Sequence, residues 1–198
     1  EKYWGEKKIV PGKTTTGESA EKYITVQDNK IYYYSGVSRN SSVELNKKIG
    51  ELESKSLTLS NSLGILPPSI KLFINSGGGS ITAGISSMDT ILRTTVPVYT
   101  YVDGFAASAA TFLSEVGEKR YMSRNSYMLI HQLSSSLWGK YSEIEDEKKN
   151  LDLMMETIKR VYKEYTEVPE KKLDEILKHD LLWDAKTCLE YGLIDEVI

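Results

Sequence analysis

At 198 residues, with 40% hydrophobic and 27% charged side chains, the chain is long enough for one domain with a substantial core and has an ordinary globular composition. Its net charge of −3, with no Lys/Arg cluster free of acids, argues against nucleic acid as a partner. No apolar run approaches the roughly 20 residues of a membrane helix, the first residues carry no signal-like stretch, and the single cysteine, Cys188, fits a reducing compartment, so a soluble cytoplasmic protein is expected.

Residues 1–22 are polar and turn-rich, with Trp4, Ile9 and Val10 as the strong apolar anchors, and read as an arm or loop ahead of a domain spanning 23–198. Within them, "PGKTTTGES" is not a phosphate loop, because the glycine needed five positions before Gly12 is Lys7. "KIYYYSG" (30–36) is a strand that stops at a glycine. "NSSVELNKKIGELESKSLTL" (40–59) opens with a capping-box pattern, Ser41 to Glu44, and continues with Leu45, Ile49 and Leu52 at helical spacing. "IKLFI" (70–74) is a strand leading into "NSGGGS", and 80–94 a helix with Ile81, Ile85, Met88 and Leu92 on one face. "PVYTYV" (97–102), "KRYM" (119–122) and "YMLIH" (127–131) are further strands, the first followed by the small-residue stretch "DGFAASAATFL". The longest helix covers 142–165, with Leu151, Met154, Met155, Ile158, Val161, Tyr162 and Tyr165 on a wide apolar face suited to core or subunit packing. Its first turns hold Glu143, Glu145, Asp146 and Glu147, as a helix N-terminus favours. Helices at 169–179 and about 185–191 precede a closing strand, "LIDEVI". Strands alternating with helices at these intervals imply parallel crossovers and an α/β layer fold.

Candidate bases are few, because His131 and His179 are the only histidines. His131 falls at the C-terminal end of a strand, where α/β sheets gather functional groups, although an ordinary half-buried histidine fits there too. A serine nucleophile needs a base, an acid that fixes the base's tautomer, and donors for the oxyanion. Ser108, His131 and Asp180 can supply the first three, in an order unlike that of the α/β-hydrolases, whose G-x-S-x-G elbow is also missing around Ser108. Small residues at 106–110 equally suit a tightly packed helix. "NSGGGS" (75–80) can present backbone N–H groups to a ligand or simply make a tight turn. No Cys/His/Asp cluster has metal spacing, and Cys188 reads as a packed thiol.

Four ordered segments, "INSGGGSITAG" (74–84), "GFAASAATFL" (104–113), "MLIHQL" (128–133) and "EYGLIDEVI" (190–198), resemble the I-N-S-P-G-G, G-x-A-A-S-M, M-I-H-Q-P and E-Y-G-L-[IV]-D motifs of the ClpP family, the proteolytic subunits of the caseinolytic (Clp) protease. The resemblance runs from about residue 25 to the C-terminus. It implies the ClpP/crotonase-type fold, a repeated ββα spiral, with the 142–165 helix as its protruding handle. It implies a serine endopeptidase with Ser108 as nucleophile, His131 as base and Asp180, fifteen residues before Asp195, as the orienting acid. The family's oxyanion donors map onto the amides of Gly79 and Ala109. Unfolded polypeptide substrates, two stacked heptameric rings and an AAA+ unfoldase partner follow, with no cofactor and no metal. Phe73 and Tyr121 match two unfoldase-docking positions, whereas Lys71 replaces a tyrosine. Gly77 stands for the motif's proline, Ala109 for its methionine and Leu133 for the proline after H-Q. The arm at 1–22, in the place of the family's axial gate, has no clear match. A cytoplasmic site, an organelle stroma or matrix, or a phage-infected host all fit such a member. Two rival readings stay open, a catalytically silent ring subunit and a crotonase-type acyl-CoA enzyme, and the complete Ser-His-Asp set weighs against both.

Overall fold

Alternate residues of "IKLFINS" are apolar or small, and the strand it forms, β3 (Ile70–Ser76), buries Ile70, Leu72, Ile74 and Ser76. In the computed structural model, which describes residues 23–136 and 138–198, β3 lies between β2 (Lys30–Tyr33) and β4 (Val98–Ala107), parallel to both. The arm expected at 1–22 lies outside the described residues. β1 (Ile24–Gln27) pairs antiparallel with β2, while β5 (Lys119–Met122) and then β8 (Glu196–Val197) continue the parallel sheet beyond β4. β4 serves two neighbours in succession. Tyr99–Val102 pairs with β5, and Phe105–Ala107 pairs with β6 (Tyr127–Leu129), which carries β7 (Leu182–Asp184) antiparallel on its other side. β1 and β7 are too short, at four and three residues, to announce themselves by alternation.

Helix α1 (Arg39–Leu63) buries Leu45, Ile49 and Leu52, the apolar spacing expected, each contributing about 1.5–3 kcal/mol by leaving water. Its cap differs from the expectation. Ser38, with extended φ of −140°, is the N-cap; its hydroxyl accepts from Ser41 N–H at 3.2 Å while Ser41 Oγ accepts from Ser38 N–H at 2.9 Å. Glu44 is released to pair with Lys48 at 3.4 Å, and the helix runs past residue 59 until Gly64 closes it with a left-handed φ of 64°.

Helix α2 (Ile81–Arg93) packs on α1, with Ser42 Oγ donating to the Ala83 carbonyl at 2.9 Å. Its buried face is Ala83, Gly84, Ser87, Met88 and Ile91, whereas Leu92, expected on that face, is exposed. The rotation has a cause: Gly84 sits so close to Ala109 that a Cβ there would stand 2.9 Å from its carbonyl oxygen, so only the small-residue side of α2 fits.

Helix α4 (Tyr141–Tyr165) buries only Ile158, Val161 and Tyr162, all in its last two turns. Residues 141–150 are exposed, and Leu151, Met154 and Met155 are half-buried, so the first part of the helix stands clear of the body. α5 (Glu170–Ile176) and α6 (Ala185–Glu190) complete the chain, the latter capped by Asp184, whose carboxylate accepts from Thr187 N–H at 2.8 Å. Among the described residues no helix is long and apolar enough to cross a membrane.

Candidate active site

The small-residue stretch, whose residues 106–110 suit a tightly packed helix, is first a strand. β4 runs through Gly104, Phe105, Ala106 and Ala107, and only then gives way to a 3-10 turn, Ser108–Ala110, and to α3 (Thr111–Glu115). Ser108 stands at that junction with φ of 54°, a left-handed backbone that costs a non-glycine residue about 1–3 kcal/mol and recurs where a nucleophile must stand proud of a sheet. Burial of Ala106, Ala107, Ala109 and Ala110 around it leaves no room for larger side chains. Tight packing of these small residues is what seats Ser108 at the junction.

The glycine loop closes over the serine. A Cβ on Gly78 would stand 2.7 Å from Ser108 Cβ and 3.2 Å from Ala109 N, and it would press on the Ala107 carbonyl oxygen. Only glycine serves there, the more so at φ of 82°. Gly78 N–H is taken up by Ser76 Oγ at 3.2 Å, and Gly78 O accepts from Val37 N–H at 2.8 Å. Ser80 N–H donates to Val37 O, also at 2.8 Å, which makes Gly79 and Val37 partners in a parallel bridge. In such a bridge the donor and acceptor belong to the residues either side of Gly79, so its own N–H turns away from Val37. That leaves the Gly79 amide with no backbone partner among the described residues, on the loop that covers Ser108. No sequence motif marks Val37; its part in holding the loop is a long-range pairing.

His131 and Asp180 come together by strand register. β6 and β7 pair Leu129 with Leu182, and two more residues along the same antiparallel register set His131 opposite Asp180. Gln132 N–H donates to Leu177 O at 2.7 Å and ties the two segments just beyond. The His131 Nδ1 to Asp180 Oδ1 distance is 3.0 Å. A carboxylate only accepts, so Nδ1 carries a proton, and in the neutral imidazole the lone pair is then on Nε2. His131 lies two residues beyond Leu129 in β6, which runs parallel to the end of β4 with Ala107 beside Leu129, so Ser108 and His131 both follow the C-terminal ends of neighbouring parallel strands. No hydrogen bond joins their side chains among the described residues; in unliganded enzymes such bonds are often long and tighten only with substrate. His179 is exposed at the end of α5, where its backbone N–H donates to Ile176 O at 3.0 Å.

The lone thiol has no part in this geometry. Burial pushes Cys188 up to about 12, and Sγ–H reaches the Trp183 carbonyl at 3.8 Å, as a packed thiol would. Among the described residues no three His, Cys, Asp or Glu side chains gather as a metal site requires.

On the face of the strands away from the buried Leu72 and Ile74, Phe73 and Tyr121 do not stand alone. Tyr32, Phe73, Tyr101 and Tyr121 are in direct register on β2 to β5, with stacked rings 5.0, 4.5 and 4.7 Å apart. The motifs single out neither Tyr32 nor Tyr101, though the alternation in "YYY" and "YTY" places them on the same face as Phe73 and Tyr121.

Known proteins share both the sequence and the shape. The sequence model of the Clp protease family matches residues 25–198. The ATP-dependent Clp protease proteolytic subunit 2 of Treponema denticola is 37% identical over 156 residues, which is 78% of this chain and 78% of that protein. The proteolytic subunit 1 of Streptomyces avermitilis is 36% identical over 131 residues, 65% of this chain and 60% of that one. Among solved structures, a point mutant of ClpP1 from Listeria monocytogenes superposes with a TM-score of 0.72 at 27% identity, covering 83% of this chain and 88% of that chain.

Proposed function

The chain belongs to the Clp protease family, and on that premise we propose that Ser108, His131 and Asp180 are its catalytic triad and that the amides of Gly79 and Ala109 form its oxyanion hole. The protein has the ClpP/crotonase-type fold and is a serine-type peptidase, the proteolytic subunit of an ATP-dependent protease. His131 Nε2 takes the Ser108 hydroxyl proton as Oγ attacks the peptide carbonyl, and Asp180 holds the imidazole and balances its positive charge. The tetrahedral oxyanion is received by the Gly79 and Ala109 N–H groups. His131 then gives its proton to the leaving amine, and water, activated by the same nitrogen, releases the acyl group from Ser108.

The observation that carries this reading is the 3.0 Å contact between His131 Nδ1 and Asp180 Oδ1, because it fixes the tautomer that a serine's base needs. The strained backbone of Ser108 and the close glycine loop support it. A crotonase-type acyl-CoA enzyme would share the fold without needing that pair, and the relatives found are Clp proteases.

Substrates are unfolded polypeptides, delivered by an AAA+ unfoldase whose docking surface is the aromatic row that includes Phe73 and Tyr121. Two heptameric rings would enclose the sites, with α4 packed against its counterpart in the facing ring. Support for that comes from the exposed apolar residues on the free part of α4, Tyr141, Ile144 and Leu153, which gain a dry partner by assembly. The buried thiol of Cys188 suits a reducing cytoplasm, stroma or matrix. Labelling of the assembled protein with a fluorophosphonate tests the chemistry: an adduct mapped to Ser108 is expected. An assembled ring with no adduct would instead identify a catalytically silent subunit.

A further inference from the structure

The peptide group between Ser108 and Ala109 carries two atoms that matter differently. Its N–H, on Ala109, is a donor for the oxyanion in the reading given above, on which this inference rests. Its carbonyl, on Ser108, points the other way, because the trans peptide is planar with C=O and N–H opposed. Whatever holds the carbonyl therefore aims the donor.

Thr111 holds it twice. The Thr111 backbone N–H donates to Ser108 O, and Thr111 Oγ1 donates to the same oxygen at 2.7 Å. A hydroxyl has one proton, so Thr111 Oγ1, having given its own, must accept from its other neighbour, the Tyr162 hydroxyl at 2.8 Å. The chain of donation runs from Tyr162 through Thr111 to the Ser108 carbonyl. Tyr162 belongs to the buried base of α4, 1% exposed, and its ring packs on Phe112 of α3 with centroids 6.0 Å apart. Thr111 is fully buried as well. Phenylalanine and valine would fill the same volume without two hydroxyls to satisfy in a dry interior, so packing alone does not account for them.

We propose that Tyr162 and Thr111 are positioning residues for catalysis, a hydrogen-bonded relay that ties the base of α4 to the Ser108 carbonyl and so aims the Ala109 amide at the oxyanion. Neither touches substrate. A donor aimed at the oxyanion acts on the transition state rather than on the bound peptide, so its loss falls on kcat and leaves KM nearly unchanged.

The test uses the full chain in its assembled state, a fluorogenic peptide for kcat and KM, a fluorophosphonate for the rate of Ser108 labelling, and the variants Tyr162→Phe, Thr111→Val and Thr111→Ser. Losing one uncharged hydrogen bond in the relay is expected to lower kcat and labelling rate about three- to tenfold in Tyr162→Phe, with KM within about twofold of wild type. Thr111→Val removes the bond to the carbonyl itself and falls further, Thr111→Ser recovers most of kcat, and the double variant is no slower than Thr111→Val, since both act through one path. If Thr111→Val does not assemble, Tyr162→Phe, which keeps the buried ring, decides alone. Variants that melt earlier yet keep wild-type kcat per assembled chain would overturn the relay and leave the protease reading intact. A wild-type ring with neither turnover nor adduct would overturn both.

Discussion

His131 and Asp180 face each other across the extended register of β6 and β7, their side chains 3.0 Å apart, yet Asp180 is 78% exposed. A hydrogen bond so open to water contributes at most about 1 kcal/mol to stability. Its value lies in orientation. Asp180→Asn offers an amide that can donate to Nδ1 and so favours the wrong tautomer. The melting temperature should stay within a few degrees of wild type while kcat falls on the order of 10²–10⁴-fold. Full activity in this variant would remove Asp180 from the mechanism.

Two adjacent glycines should answer oppositely to the same substitution. A Cβ on Gly77 meets nothing within 4 Å, so Gly77→Ala should keep activity and gain up to about 1 kcal/mol from a stiffer unfolded chain. Gly78→Ala drives a methyl to 2.7 Å from Ser108 Cβ at a positive φ. It should abolish turnover and cost about 1–3 kcal/mol or more. Denaturant titration and peptide hydrolysis read both variants, and equal losses at the two positions would show that the loop is not seated over the serine.

Glu115, at the end of α3, is 1% exposed, and neither carboxylate oxygen has a hydrogen-bond partner among the described residues. Burial holds its carboxyl well above the usual range, with the charge of Arg120 opposing but not cancelling the effect. The folded chain thus keeps a proton that the unfolded chain has already lost above about pH 4.5. Stability contributed by this group is full below that point and declines as pH rises towards the folded value, by about 1.4 kcal/mol per pH unit at the steepest. Glu115→Gln, neutral at every pH, should match wild type near about pH 4 and become progressively more stable than it towards about pH 8. Thermal melts across that range check this; parallel curves would place the carboxylate in water or beside a cation.

The fold and family are legible in the chain because four motifs arrive in order and because strands and helices alternate at parallel-crossover spacing. What local pattern does not carry is long-range. Small residues after Val102 suggest a helix, and β4 continues through them because β6, some twenty residues on, supplies a pairing edge at Phe105–Ala107, while Ser76 of β3 pairs with Ala106 on the other side. The α1 cap falls at Ser38 although only Ser41 carries the S-x-x-E pattern, because Ser38 has the extended backbone of an N-cap and exchanges its hydrogen bonds with Ser41. Tyr162 and Thr111 are 51 residues apart, and nothing in either segment points to the other. Tyr32 and Tyr101 are readable from alternation once Phe73 and Tyr121 have marked a face.

The central claim, that Ser108 does the chemistry, is tested most directly by hydrolysis of a fluorogenic peptide on wild-type and Ser108→Ala protein whose oligomeric mass is measured on the same samples by native mass spectrometry. The prediction is an unchanged mass and a kcat reduced at least about 10³-fold in the variant. A Ser108→Ala assembly that cuts the peptide at the wild-type rate would contradict it.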